Sequence, residues 1–127
     1  MVEMKFCGTT RPEDAREAAL LGARYVGVIL TDSPRQLDDD QAKKVLAAVP
    51  QGVARVGVFG DETPEAIAAR ATHLGLDIVQ LHADPDTVAI ARVREHWTGM
   101  VWAAQRIRGS DVPSSAVELF AVADAVQ

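Results

Sequence analysis

Short apolar runs alternate with amphipathic stretches along the whole chain. Runs of strand length lie at residues 2–6, 25–30, 53–59, 77–82 and 100–106. Apolar side chains recur at helical spacing between them, at residues 12–21, 38–49, 63–75, 85–97 and 113–122. A last short run at residues 123–127 looks like the beginning of another strand. The pattern predicts five βα units followed by the start of a sixth strand.

Polar residues, prolines and glycines mark the ends of the predicted helices. Thr10 and Glu13 have the spacing of a capping box for the first helix, which is expected to end at Gly22. An acidic residue among 38–40 is expected to cap the second helix. Asp84 is the predicted cap of the fourth helix. These boundaries place a loop after the carboxyl end of each predicted strand.

Apolar strands joined by helices predict an α/β fold, with a parallel sheet covered by helices. An open doubly wound sheet and a (βα)₈ TIM barrel both satisfy this periodicity. Residues 7–10 contain one glycine where the dinucleotide-binding fingerprint needs several, which disfavours a nucleotide-binding sheet. A complete barrel needs about 200 to 250 residues. The 127 residues are therefore expected to form a single domain, residues 1–127, that is an incomplete barrel.

The composition narrows the classes of partner. The formal net charge of −5 argues against nucleic acid and anionic membranes as partners, and no segment is long and apolar enough to span a bilayer. One cysteine cannot form an internal disulfide, and no zinc-ligand spacing is present. We therefore expect a cytoplasmic protein that needs neither a metal nor another cofactor.

Cys7 is the first candidate for chemistry. It follows the first predicted strand and precedes a loop that opens with Gly8. Ligands bind at this edge of α/β sheets, and a thiol there can serve as a base or a nucleophile. The alternative is that Cys7 is a small buried hydrophobic residue. Gly8 is expected to allow a tight turn and a close approach of the backbone.

Several longer motifs lie along the chain in a fixed order. They are KFCG at 5–8, TRPEDA at 10–15, GARYVG at 22–27, SPR at 33–35, VGVF at 56–59 and GLDIVQLH at 75–82. In this order and spacing they resemble the phosphoribosylanthranilate isomerase family of tryptophan biosynthesis. The resemblance covers nearly the whole chain and implies a (βα)₈ barrel of about 200 residues. The last strands of such a barrel are expected beyond residue 127.

The resemblance implies an Amadori rearrangement of N-(5-phosphoribosyl)anthranilate to 1-(2-carboxyphenylamino)-1-deoxyribulose 5-phosphate. An acid opens the furanose ring to a Schiff base, and a base removes the proton from the sugar C2. By resemblance Cys7 is the base, and Arg35 binds the anthranilate carboxylate of this small-molecule phosphosugar substrate. A guanidinium fork suits a carboxylate. The alternative for Arg35 is a solvated loop arginine that pairs with Asp38 or Asp39.

Other polar residues are expected to line the same pocket. Gln80 and His82 alternate with Leu81, so both side chains point to one face of the fourth strand. We assign both to substrate binding, together with Gly8. For His82 the alternative is a core histidine satisfied by hydrogen bonds. Lys5 lies two residues before Cys7 and is expected to share its face.

The family's general acid is an aspartate at the end of the sixth strand, which is expected beyond this chain. Asp124 is expected at the start of that strand, on the face of a barrel that serves stability. Phosphate binding uses the loops after the seventh and eighth strands, so no phosphate ligand is assigned. Two other classes stay open. One is another barrel enzyme that handles phosphosugars, and the other is a catalytically inactive barrel fragment that self-associates into a homo-oligomer through its unpaired sheet edges.

Overall fold

The computed structural model describes residues 4–82, 85–104 and 125–126. Strands and helices alternate as predicted: β1 (Lys5–Phe6), α1 (Pro12–Leu20), β2 (Tyr25–Ile29), α2 (Asp39–Ala47), β3 (Ala54–Phe59), α3 (Pro64–Leu74), β4 (Ile78–Leu81), α4 (Thr87–Arg94), β5 (Met100–Ala103) and β6 (Ala125–Val126). Most elements are shorter than predicted by one to a few residues. The predicted helix at 113–122 lies outside the described residues. None of the described helices is long and apolar enough to cross a membrane.

The six strands form one sheet in the order β1-β2-β3-β4-β5-β6, and every neighbouring pair is parallel. A doubly wound sheet reverses its strand order at a switch point, and this sheet does not. Successive helices also pack on one another, α1 on α2, α2 on α3 and α3 on α4. The fold is therefore of the (βα)₈-barrel type over β1 to β6, and the doubly wound alternative is wrong.

The strand register separates an inner face of the sheet from a helix-covered face. The main core lies between the sheet and the helices, and its strand residues include Val26, Val28, Phe59, Val79 and Val101. A smaller apolar cluster lies on the inner face, formed by Val56, Ile78 and Trp102 with Tyr25 and Ala54. Parallel strands buried on both faces account for the nearly continuous apolar runs in the sequence.

The first helix begins differently from the prediction. Arg11, and not Thr10, has the extended backbone of the N-cap residue, and no side chain caps the helix. Asp14 instead pairs with the Arg11 guanidinium at 3.2 Å. The predicted Thr10–Glu13 capping box is therefore wrong. Pro12 occupies the first turn, where its missing N–H costs nothing.

The second and fourth helices have side-chain caps. Asp38 accepts from the Gln41 backbone N–H at 2.8 Å, and the Gln41 side chain accepts from the Asp38 N–H at 3.0 Å, which confirms a cap among residues 38–40. Asp86 caps α4 by accepting from the Ala89 N–H at 2.8 Å. The prediction of Asp84 as that cap is wrong, because the residue with the N-cap backbone lies two positions later.

Candidate active site

Cys7 directly follows β1 at the carboxyl edge of the sheet, and its side chain is exposed. The alternative of a buried hydrophobic cysteine is therefore wrong. A Cβ placed on Gly27 would lie 3.7 Å from both the Cys7 Sγ and the Lys5 Cε. Gly27 pairs with Val56 of the inner apolar cluster, so this contact places the thiol above the inner face. The bare backbone of β2 makes room for both side chains.

Lys5 brings a positive charge to the inner face below the thiol. Its ammonium donates a hydrogen bond to the Gln80 side-chain oxygen and lies 5.4 Å from the centroid of the Trp102 ring. Burial lowers the pKa of Lys5, and the charge of the neighbouring Cys7 acts in the opposite direction. The Trp102 ring also meets Tyr25 edge-on at 4.8 Å. Lys5 and Gln80 therefore form a hydrogen-bonded polar pair beside the apolar cluster of the inner face.

Gln80 and His82 lie where the sequence places them, at the end of β4. Gln80 is only 4% exposed, and its side-chain oxygen accepts the hydrogen bond from Lys5. His82 comes one residue after β4; its backbone N–H donates to the Phe59 carbonyl at 2.8 Å, and its side chain is exposed. The alternative of a buried core histidine is therefore wrong. Substrate contacts by Gln80 and His82 stay predictions.

Arg35 comes from the loop after β2 and reaches back to the end of β1. Its Nη1 donates to the Cys7 carbonyl at 3.3 Å. The loop is fixed locally, because the Ser33 hydroxyl accepts from the Arg35 backbone N–H at 3.2 Å. An isolated β-bridge between Ile29 and Gln36 then returns the chain to β2. The SPR motif thus holds a guanidinium beside Cys7.

The acidic residues that follow this loop have other partners. Asp38 caps α2, and Asp39 pairs with Arg70 at 2.8 Å. The alternative in which Arg35 pairs with one of these two carboxylates is therefore wrong. The guanidinium instead lies against the backbone of Gly8, which is itself buried.

One link at this edge of the sheet was missed by the sequence reasoning. Glu62, in the loop after β3, accepts from the Thr31 hydroxyl and from the Gly60 backbone N–H, both at 2.9 Å. It thereby joins the loops that follow β2 and β3. An acidic residue in a loop gives no local signal of such a role, because the partner lies 31 residues away.

The arrangement combines two chemical capacities. An exposed thiol at a strand end can accept a proton, and an adjacent guanidinium can hold an anion through paired hydrogen bonds. Within the described part of the chain, no group of three or more His, Cys, Asp or Glu side chains is arranged to hold a metal ion. Proton transfer next to a bound anion is the chemistry these residues support.

Comparisons with known proteins show which family this chain resembles. The family model described as N-(5'-phosphoribosyl)anthranilate (PRA) isomerase matches residues 4–119. An N-(5'-phosphoribosyl)anthranilate isomerase of Rubrobacter xylanophilus is 41% identical over 109 residues, which is 85% of this chain and 52% of that protein. The chain thus spans about half the length of the curated relatives it matches.

Solved structures show the same likeness. The phosphoribosyl anthranilate isomerase of Thermus thermophilus superimposes with a TM-score of 0.81 at 32% identity, covering 91% of this chain and 57% of that one. A second isomerase structure, in complex with reduced 1-(o-carboxyphenylamino)-1-deoxyribulose 5-phosphate, has a TM-score of 0.76 at 34% identity. That match covers 82% of this chain and 53% of the other.

Proposed function

This chain belongs to the N-(5'-phosphoribosyl)anthranilate isomerase family, and on that premise we propose that the protein catalyses the family's Amadori rearrangement. Its substrate is then N-(5-phosphoribosyl)anthranilate, and its product is 1-(2-carboxyphenylamino)-1-deoxyribulose 5-phosphate. One observation carries the proposal: the exposed Cys7 thiol lies at the carboxyl end of β1, and the Arg35 guanidinium donates a hydrogen bond to the carbonyl of that same residue. A lone cysteine kept as a thiol fits a cytoplasmic setting.

We assign the proton transfer to Cys7. The ring-opened substrate is a Schiff base, and the Cys7 thiolate removes the proton from C2. The electrons of that C–H bond form a C1–C2 double bond and neutralise the iminium nitrogen. Protonation at C1 and loss of the hydroxyl proton at C2 then give the ketone. The reaction is an internal aldose–ketose exchange and needs no oxidant or reductant.

We assign substrate positioning to the residues around the thiol. Arg35 binds the anthranilate carboxylate through the guanidinium edge that the Cys7 carbonyl leaves free. Gln80 and His82 face the sugar from the end of β4. The general acid that opens the furanose ring is not assigned to any described residue, and Asp124 lies outside them.

The test replaces the proposed base. Cys7→Ser in the purified protein should lower kcat for conversion of N-(5-phosphoribosyl)anthranilate by about 10² to 10⁴, the usual contribution of a general base. Binding of the reduced product analogue, measured by calorimetry, should change little because the anion contacts are kept. Lys43→Ser, on the exposed side of α2, is the control and should leave kcat unchanged. Full activity of Cys7→Ser would rule out the assigned base.

A further inference from the structure

The Arg35 guanidinium lies so close to the Cα of Gly8 that a side chain at residue 8 would collide with it. A Cβ placed on Gly8 would lie 2.5 Å from the Arg35 Cζ and 2.9 Å from its Nε. Real Cβ contacts are essentially never this short. The guanidinium therefore rests on the bare backbone of residue 8. Because the colliding group is the far end of a flexible side chain, an alanine here would displace Arg35 before it disturbed the strands.

Arg35 is held both at its guanidinium and at its backbone. Its Nη1 donates to the carbonyl of Cys7, which is the residue before Gly8. Its backbone N–H donates to the Ser33 hydroxyl. These are the hydrogen bonds that Arg35 makes with other described residues. One guanidinium donor is thus used for anchoring, and the other donors stay available for a bidentate pair with a carboxylate.

We propose that Gly8 is a specificity-determining positioning residue whose bare Cα seats the Arg35 guanidinium for the aryl carboxylate of the substrate. The inference rests on the proposed function and changes the role assigned to Gly8. The glycine acts through Arg35 and not through a contact of its own with substrate. Removing the seat should weaken recognition of the carboxylate and leave the rest of the ligand's binding intact.

The test compares two ligands that differ in one group. The first is reduced 1-(o-carboxyphenylamino)-1-deoxyribulose 5-phosphate, and the second is the same compound without the carboxyl group. Gly8→Ala should raise the Kd of the first about ten- to hundredfold, the usual range for a hydrogen bond to a charged group. The Kd of the second should change by less than about threefold. Equal weakening of both ligands would overturn the inference.

Gly75→Ala is the matched control. Gly75 has φ +68°, close to the +75° of Gly8, but a Cβ there meets nothing within 4 Å. Both alanines are therefore placed at a similar positive φ, and only the one at residue 8 meets Arg35. Gly75→Ala should leave both Kd values unchanged. If Gly8→Ala does not fold, Gly8→Asn carries a Cβ on a residue that tolerates positive φ, and it should show the same selective loss.

A double-mutant cycle separates this inference from the proposed function. If Gly8 acts through Arg35, then Gly8→Ala should cost no further affinity for the carboxylated ligand in an Arg35→Ala background. Additive losses of affinity would overturn the proposal that Gly8 positions Arg35. An inactive Cys7→Ser variant together with additive losses would leave the proposed function standing and refute only the role of Gly8. If the unmodified protein has no isomerase activity, the proposed function is refuted. The Kd values of the double-mutant cycle would still decide whether Gly8 positions Arg35.

Discussion

The Lys5 side chain ties the first strand to the fourth across the inner face of the sheet. Its ammonium has a hydrogen-bond partner in Gln80 and an aromatic neighbour in Trp102. Burial lowers the pKa of Lys5, because a cation loses hydration when it leaves water. The charge of Cys7 raises the pKa of Lys5 and so offsets part of this lowering. Folding therefore disfavours the protonated form of Lys5.

This lowered pKa gives stability a pH dependence with a definite sign. Between the lowered pKa and the ordinary value of 10.5, the unfolded chain binds more protons at Lys5 than the folded chain, so the free energy of unfolding rises with pH. We expect the difference in unfolding free energy, wild type minus Lys5→Met, to grow in urea titrations as the pH rises toward 10.5. The same difference for Lys43→Met should stay flat. A Lys5 difference that falls with pH would contradict the burial argument.

Sequence reasoning located the thiol and placed Lys5 on the same face, but it did not predict the hydrogen bonds that Lys5 and Arg35 make. The position of Cys7 follows from a local strand–loop–helix pattern, which the residues themselves carry. The Lys5–Gln80 bond joins residues 75 apart, and the contact of Arg35 with the Cys7 carbonyl spans 28. Both depend on the register of the parallel strands. Hydrophobic periodicity alone does not fix that register across several strands.

At the scale of single helices, one of the three predicted caps was right and two were wrong. Thr10 and Glu13 have the spacing of a capping box, but the extended backbone of the N-cap falls on Arg11. Asp38 and Gln41 form the reciprocal bonds in full. Spacing identifies candidate caps, whereas the path of the preceding loop decides which residue takes the N-cap conformation. Loop path is set by tertiary contacts, which the local sequence does not contain.

The difference between these two caps can be measured. Asp38→Ala should lower the free energy of unfolding by about 1 kcal/mol, since it leaves an N-terminal N–H of α2 without its side-chain acceptor. Thr10→Ala should change it by less than about 0.5 kcal/mol, as expected for a surface residue outside any cap. Both variants are compared with wild type by urea denaturation at one pH. Equal losses would show that Thr10 caps α1 after all.

For the molecule as a whole, alternation of strands and helices was enough to predict a parallel α/β sheet. The choice of a barrel over a doubly wound sheet needed the strand order, because both architectures use the same βα unit. The strand order runs from β1 to β6 without reversal, and this identifies the barrel type. It also gives the first strand a single neighbour, β2, within the described sheet.

The free side of β1 carries exposed apolar side chains. Phe6 lies on the helix-covered face, since it pairs with the core residue Val26, and yet it is 38% exposed. Met4 just before the strand is 42% exposed, and Leu20 and Leu21 at the end of α1 are 83% and 62% exposed. An unpaired strand edge beside an apolar patch is a template for association with another chain.

We therefore expect the 127-residue chain to self-associate or to be poorly soluble. Multi-angle light scattering should give a mass well above 13.6 kDa, and Met4→Lys with Leu21→Glu should lower it because charges on the patch oppose its burial. Ala66→Glu with Ala69→Lys places the same charges on an exposed part of α3 and should leave the mass unchanged. A monodisperse monomer before any substitution would show that the edge of β1 is protected, and the patch would then have no role in association.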